Sequence, residues 1–284
     1  MARSPVIAWG EWLPAPAKIN LFLHVVGRRD DGYHLLQTVF RFVDLHDNLR
    51  FRPAKDGEIR LLTDLPGVDP QSNLVIRAAL SLRAATGCHL GTTIEIDKHI
   101  PMGGGLGGGS SDAATTLIAL NALWELGLAR EALMRIGLSL GADVPVFVMG
   151  RNAFAEGIGE ALVPLDLGPA WYLILTPGVM VPTGPIFSDP TLTRDTERTT
   201  IAAFFAGGKL ANDLEPVVRR RYPQVARYLD WLSTHGTARM SGSGSSVFAE
   251  FPTESAARAV AAQLEPGMKG LVVCGLLRHP LAEP

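Results

Sequence analysis

The stretch Pro101-Met102-Gly103-Gly104-Gly105-Leu106-Gly107-Gly108-Gly109-Ser110-Ser111-Asp112 carries the reading of this chain. Six glycines fall within seven residues, and an alanine-rich apolar segment follows. A short β-rich run at 92–96 precedes the loop, and Ser110, Ser111 and Asp112 are expected to cap a helix reaching about residue 126. A strand, a glycine loop and a helix start together make an anion site. Backbone N–H groups approach phosphate oxygens without Cβ obstruction, and the helix end adds about half a positive charge.

Several phosphate ligands suit such a loop. A Walker A motif is excluded, because Gly208-Lys209 is followed by Leu210 rather than Ser or Thr. Gly103, Gly105 and Gly108 match a dinucleotide fingerprint, as so dense a glycine run would by chance. The acidic residue required about 20 positions further on would be Glu125, which falls inside the expected helix. A nucleoside triphosphate on an unusual loop fits better. A second small-residue loop, Ser241-Gly242-Ser243-Gly244-Ser245-Ser246, is either a hairpin turn or a second contact to phosphate or substrate.

The rest of the chain reads as α+β. Strands are expected at 18–26, 38–43, 48–52, 92–96, 171–175, 246–251 and 271–274. Helices are expected from a Ser72 cap to Thr86, over 131–140, and over 199–205, 213–222, 225–234 and 255–264. Val144-Pro145 is expected to force extended backbone, leaving Asp143 on a loop between helix and strand. The turn-rich stretch at 157–168 divides the 284 residues into domains at 1–164 and 165–284.

Composition narrows the function. The chain is 47% hydrophobic and 19% charged, with 26 Lys+Arg against 28 Asp+Glu and a net charge of −2, a balance that points to no nucleic-acid-binding surface and leaves room for a local basic pocket. Cys88 and Cys274 form no Cys-x-x-Cys, and the seven histidines have no zinc-ligand spacing. No apolar run reaches the roughly 18 residues of a membrane span. A cytoplasmic protein with no membrane partner, no nucleic acid and no resident metal cluster is expected, as a monomer or homodimer.

Two polar residues stand out in apolar surroundings. Lys18 opens a strand, and Asp143 lies in Gly141-Ala142-Asp143-Val144-Pro145. Lys18 is either a solvated edge lysine and Asp143 a cap or turn aspartate, or both belong to a phosphoryl-transfer site, where positioning and charge neutralisation matter most. Tyr33 and His34 follow a charged turn and are either a half-buried pair or a base-stacking pair, while Phe187 is core by composition alone.

Pro16-Ala17-Lys18-Ile19-Asn20-Leu21, the 101–111 loop and Met240 with the 241–246 loop together resemble, in order, the three signature motifs of the GHMP kinase superfamily. Gly27-Arg28-Arg29-Asp30-Asp31-Gly32-Tyr33-His34 and Pro182-Thr183-Gly184-Pro185-Ile186-Phe187 resemble the member acting on a cytidine diphosphate conjugate. The resemblance implies a ribosomal-protein-S5-like N-terminal domain and a ferredoxin-like C-terminal domain. It also implies ATP-dependent phosphorylation, with Mg2+, of a hydroxyl on the methylerythritol part of that small molecule, on the non-mevalonate route to isoprenoid precursors. Another GHMP kinase, acting on mevalonate, homoserine or a sugar, is the alternative.

Carried over by position, the resemblance makes Asp143 the base and Lys18 its partner. Asn20, Gly242 and Ser243 then contact substrate, Tyr33 stacks on cytosine, His34 bonds its edge, and Phe187 closes the other face. Pro101, Met102, Gly103, Gly104, Gly105, Leu106, Gly107, Gly108, Gly109, Ser110 and Ser111 wrap the triphosphate, with Asn73 and Lys98 near adenine. Ser246 stands where relatives often carry cysteine, which leaves the chemistry untouched.

Overall fold

A computed structural model describes residues 7–65, 69, 71–208 and 210–282. The chain opens with two long antiparallel strands, β1 (Trp12–Arg28) and β2 (His34–Ala54), followed by β3 (Ile59–Leu61) and α1 (Leu74–Thr86). Then come β4 (Gly91–Asp97), α2 (Gly108–Leu123), α3 (Arg130–Leu140), α4 (Val144–Met149), β5 (Ala153–Gly157) and β6 (Ala161–Pro164). These strands make one six-stranded sheet in the order β3-β4-β2-β5-β6, with β1 also on β2. Its apolar face packs under α1 to α4 through Phe42, Leu82, Leu117, Phe147 and their neighbours.

The second half runs through β7 (Trp171–Leu175), α5 (Thr183–Phe187), α6 (Ile201–Phe205), α7 (Glu215–Arg221) and α8 (Pro223–Ser233). It ends with β8 (Arg239–Met240), β9 (Val247–Phe251), α9 (Glu254–Ala261) and β10 (Gly270–Cys274). The four strands form an antiparallel sheet in the order β10-β7-β9-β8. That order, with helices between first and second and between third and fourth strands, is the ferredoxin-like arrangement. A third apolar cluster, including Ile19, Phe22, Leu106, Tyr172 and Phe248, fills the seam between the two sheets.

The connection at 165–170 joins the sheets, and the chain crosses back at Gly275. The two segments lie side by side, Gly275 N–H donating to the Ala170 carbonyl at 2.9 Å. Fully buried Arg41 locks this neck: its Nη2 donates to the Gly168 carbonyl at 2.8 Å, and a Cβ on Gly275 would lie 2.3 Å from its guanidinium. Beyond the neck, Leu276 and Leu281 return to the first core.

Several local expectations change. The strands expected at 38–43 and 48–52 are one strand, because β1 follows β2 across residues 44–47 with a bulge at Pro16/Ala17 that absorbs the polar interruption. Asn73, not Ser72, caps α1, its side chain accepting from Val75 N–H at 2.9 Å. Ser110, Ser111 and Asp112 lie inside α2, whose N-cap is Gly107 at φ +74°. After Asp143 the backbone turns helical rather than extended, because Pro145 sits in the first turn of α4, where its missing N–H is not needed. Replacing Asn73 with Ala is expected to cost about 1 kcal/mol of stability, the usual worth of such a cap, as a lowered urea midpoint at unchanged slope.

Candidate active site

A cleft of about 820 Å³ lies between the two halves, lined by the glycine loop, the turn after β1, the N-terminus of α4, α5 and the 242–244 loop. Lys18 reaches it from β1, where its N–H also donates to the Leu106 carbonyl of the glycine loop at 2.9 Å. Although only 3% exposed, its ammonium is well supplied with acceptors. Nζ donates to Asn20 Oδ1 at 2.6 Å and to the Gly105 carbonyl at 3.2 Å, and stands 3.2 Å from Asp143 Oδ2. Asn20 is fixed in turn by donating to Thr38 Oγ1 at 2.9 Å. Asp143, its side chain one-third exposed, holds a carboxylate at the cleft wall beside a buried cation.

The glycine loop is shaped by what presses on it. Gly103, Gly105 and Gly107 all have positive φ. A Cβ on Gly105 would lie 2.1 Å from the Ser241 carbonyl, and one on Gly107 would lie 2.9 Å from the Phe147 ring and 3.1 Å from the Lys18 side chain. The two loops are bonded together: Ser246 N–H donates to the Gly104 carbonyl at 3.0 Å and Ser241 Oγ to the Gly105 carbonyl at 2.9 Å. The glycines thus serve close packing as well as ligand access. The first helical bond of α2 runs from Ser111 N–H to the Gly107 carbonyl, so the amides of Gly108, Gly109 and Ser110 precede it and remain for an anion.

At the opposite end of the cleft, Gly32 at φ +91° turns the chain so that Tyr33 and His34 face it. Tyr33 is 62% exposed, a ring without a packed neighbour on most of its surface. His34 sits 5.0 Å from the Phe187 ring at an interplanar angle of 38°. Burial, then the positive charges of Arg194 and Arg28, hold the His34 pKa below its ordinary value and keep the ring neutral.

The comparisons with known proteins bear on this geometry. Residues 73–151 match the family model for the GHMP kinases N terminal domain, and residues 197–268 match GHMP kinases C terminal. The 4-diphosphocytidyl-2-C-methyl-D-erythritol kinase of Cupriavidus necator is 57% identical over 274 residues, covering 95% of this chain and 94% of that one. The chain belongs to the GHMP kinase family. The enzyme of the same name from Nitrosospira multiformis is 58% identical over 271 residues, covering 94% of this chain and 92% of its own. A crystal structure of 4-(cytidine 5'-diphospho)-2C-methyl-D-erythritol kinase superposes with a TM-score of 0.80 at 34% identity, covering 94% of this chain and all of that one. Homoserine kinase from Cytophaga hutchinsonii, at 16% identity and a TM-score of 0.72, shares the fold.

Measured on this GHMP kinase fold, the residues expected in the site separate into two groups. Lys18, Asn20, Tyr33, His34, Gly103, Gly105, Gly107, Ser110, Asp143, Phe187, Gly242 and Ser243 line one cleft. Leu106 and Ser111 are buried, Leu106 in the seam between the sheets, and Met102 lies exposed beside the loop. Asn73 spends its side-chain oxygen on its helix cap. Lys98 is bound by two carboxylates, Asp47 Oδ2 at 2.5 Å and Asp112 Oδ2 at 2.9 Å. Arg194, Thr38 and Asp47 were not singled out in the sequence. Their partners lie far along the chain, and no local pattern marks them.

The Asp47-Lys98-Asp112 cluster sets the start of α2. Asp47 Oδ1 accepts from the N–H groups of His99 and Ile100, at 2.6 and 2.8 Å. Burial opposes the charge on Lys98, but Asp112 and Asp47 outweigh it and raise its pKa. Two carboxylates then share one ammonium, and burial lifts Asp112 to about 7 against the pull of Lys98. A carboxyl group whose folded pKa is raised contributes stability at low pH and loses it as pH climbs through the folded value. The Asp112 contribution is therefore expected to vanish between about pH 4 and pH 7. Asp112→Asn should gain stability relative to the parent on going from pH 5 to pH 8, measured as the difference in urea midpoints.

Proposed function

We propose that this chain catalyses ATP-dependent phosphorylation of the 2-hydroxyl of 4-diphosphocytidyl-2-C-methyl-D-erythritol. The observation that carries the reading is a single cleft with an anion loop and a Lys18–Asp143 pair at one end and an aromatic cluster at the other. The relatives named for this activity match almost the whole chain and support the same reading. A substrate without a base, such as mevalonate or homoserine, would leave Tyr33 and the His34–Phe187 pair without a partner.

The loop suits a triphosphate because it runs without side chains into the start of α2, where the amides of Gly108, Gly109 and Ser110 precede the first helical bond. Residues 103–105 and the amides of Gly108, Gly109 and Ser110 would hold the phosphates. Lys18 lies beside the Gly105 carbonyl and offsets charge that develops during transfer. Asp143 turns Oδ2 to Lys18 and keeps Oδ1 for the acceptor hydroxyl, orienting it and taking its proton. Asn20 holds Lys18 on that line. Among the described residues no group of three or more His, Cys, Asp and Glu forms a metal site. Mg2+ would enter with the triphosphate, held by phosphate and water oxygens, and supplies charge neutralisation there.

No helix among the described residues is long and apolar enough to cross a membrane. A cytoplasmic enzyme, divided at residues 164/165 and working as a monomer or homodimer, completes the proposal.

A coupled ADP-release assay with ATP and magnesium tests it against the cytidylyl substrate, mevalonate and homoserine. Turnover of the first alone is expected, and turnover of mevalonate alone would overturn the assignment. In that assay Asp143→Asn should lower kcat by roughly 10²- to 10⁴-fold with the KM for ATP little changed. Tyr33→Ala should weaken cytidylyl-substrate binding by about 1–3 kcal/mol, the usual worth of one stacked base, without an equal loss for ATP.

A further inference from the structure

One side chain ties together the segment that follows Phe187. Arg194 Nη2 donates to the carbonyls of Phe187 and Asp189 at 2.9 and 2.7 Å, and Nη1 donates to that of Leu192 at 3.1 Å. Its Nε donates to His34 Nε2 at 3.0 Å. Asp189, at the back of the segment, accepts from Thr191 N–H and its hydroxyl and from Arg220 and Arg221 of α7. The guanidinium is therefore fixed on three carbonyls before it meets the imidazole, and it lines the same cleft.

A guanidinium has donors and no acceptor, so His34 Nε2 is the acceptor in that bond. In a neutral imidazole the proton then sits on Nδ1. His34 thus offers a ligand an N–H donor, not a lone pair. We infer that Arg194 is a positioning residue that fixes the His34 tautomer and thereby makes the cleft select cytosine over uracil. The inference rests on the cytidylyl reading above and sharpens it. Cytosine presents a bare N3 acceptor on its pairing edge, which completes a bond from Nδ1–H. Uracil carries N3–H at that position, and two donors facing each other leave both unpaired. The same arginine holds the Phe187 carbonyl, so it also sets the distance between the two rings that meet the base.

The test has two arms. In the intact wild-type protein, ¹⁵N-edited NMR of the imidazoles, with His34 assigned from a His34→Gln spectrum, is expected to show a protonated Nδ1 and a bare Nε2. Calorimetry with cytidine diphosphate and uridine diphosphate should show that Arg194→Gln lowers the preference for cytidine at least tenfold, with ATP affinity retained. A bare Nδ1 in the wild type overturns the inference whether or not the variant folds. So does an Arg194→Gln protein that keeps the full preference for cytidine. A wild type inactive on the cytidylyl substrate in the ADP-release assay overturns the proposed function instead, and the imidazole spectrum still decides whether Arg194 sets the tautomer.

Discussion

The Gly105 carbonyl receives hydrogen bonds from both halves of the molecule, from Lys18 Nζ at 3.2 Å and Ser241 Oγ at 2.9 Å. Most of the cleft hangs on that oxygen. It fixes the ammonium that meets Asp143, and it ties the glycine loop to the 241–246 loop. The same Ser241 hydroxyl accepts from Asn20 N–H at 3.2 Å, bringing β1 into the joint. Asn212 secures the far side by donating to the Met240 and Gly242 carbonyls, each at 2.8 Å. Backbone oxygens carry most of this joint, which is why small residues recur wherever the loops meet.

Such a joint explains what the sequence reveals. A dense glycine run before a helix is legible because backbone approach needs it, and β1 follows from apolar patterning, while the ferredoxin-like half and the role of Lys18 are legible only through the resemblance to GHMP kinases. The function of each glycine is less legible. The run suggests exposure to phosphate, but Gly105 and Gly107 are also required by Ser241 and by Lys18 with Phe147. Asp112 looks like a cap because it follows two serines, yet its partner Lys98 lies on the segment before the loop and Asp47 on β2. A polar break at 44–47 looks like a turn until β1 is present to pair across it. Asp143 is followed by a helix rather than a strand: the residue before Pro is usually extended, but here Val144 and Pro145 both belong to a first helical turn.

The ends of the cleft differ in how they are made rigid. The phosphate end is held by backbone bonds and a buried lysine, with little side-chain freedom left. The base end depends on side chains from distant segments, His34 at the start of β2 and Phe187 at the end of α5, joined through Arg194. The first arrangement suits a group common to the whole family. The second is the part that changes most cheaply when the partner molecule changes, since a few residues redefine it without disturbing either sheet.

The neck at Ala170 and Gly275 is one of several ties between the halves. Other ties run through the loops and β1, where Ser246 N–H donates to the Gly104 carbonyl at 3.0 Å and Asp213 N–H to that of Leu23 at 2.8 Å. Arg41, wedged against Gly275 and bonded to Gly168, holds the two passes of the chain beside each other at the neck. With the apolar seam of Ile19, Phe22 and Phe248 filled from both sheets, the halves meet as one packed body. The alignment between the ends of the cleft is thus set by the packing of the whole molecule rather than by any one loop.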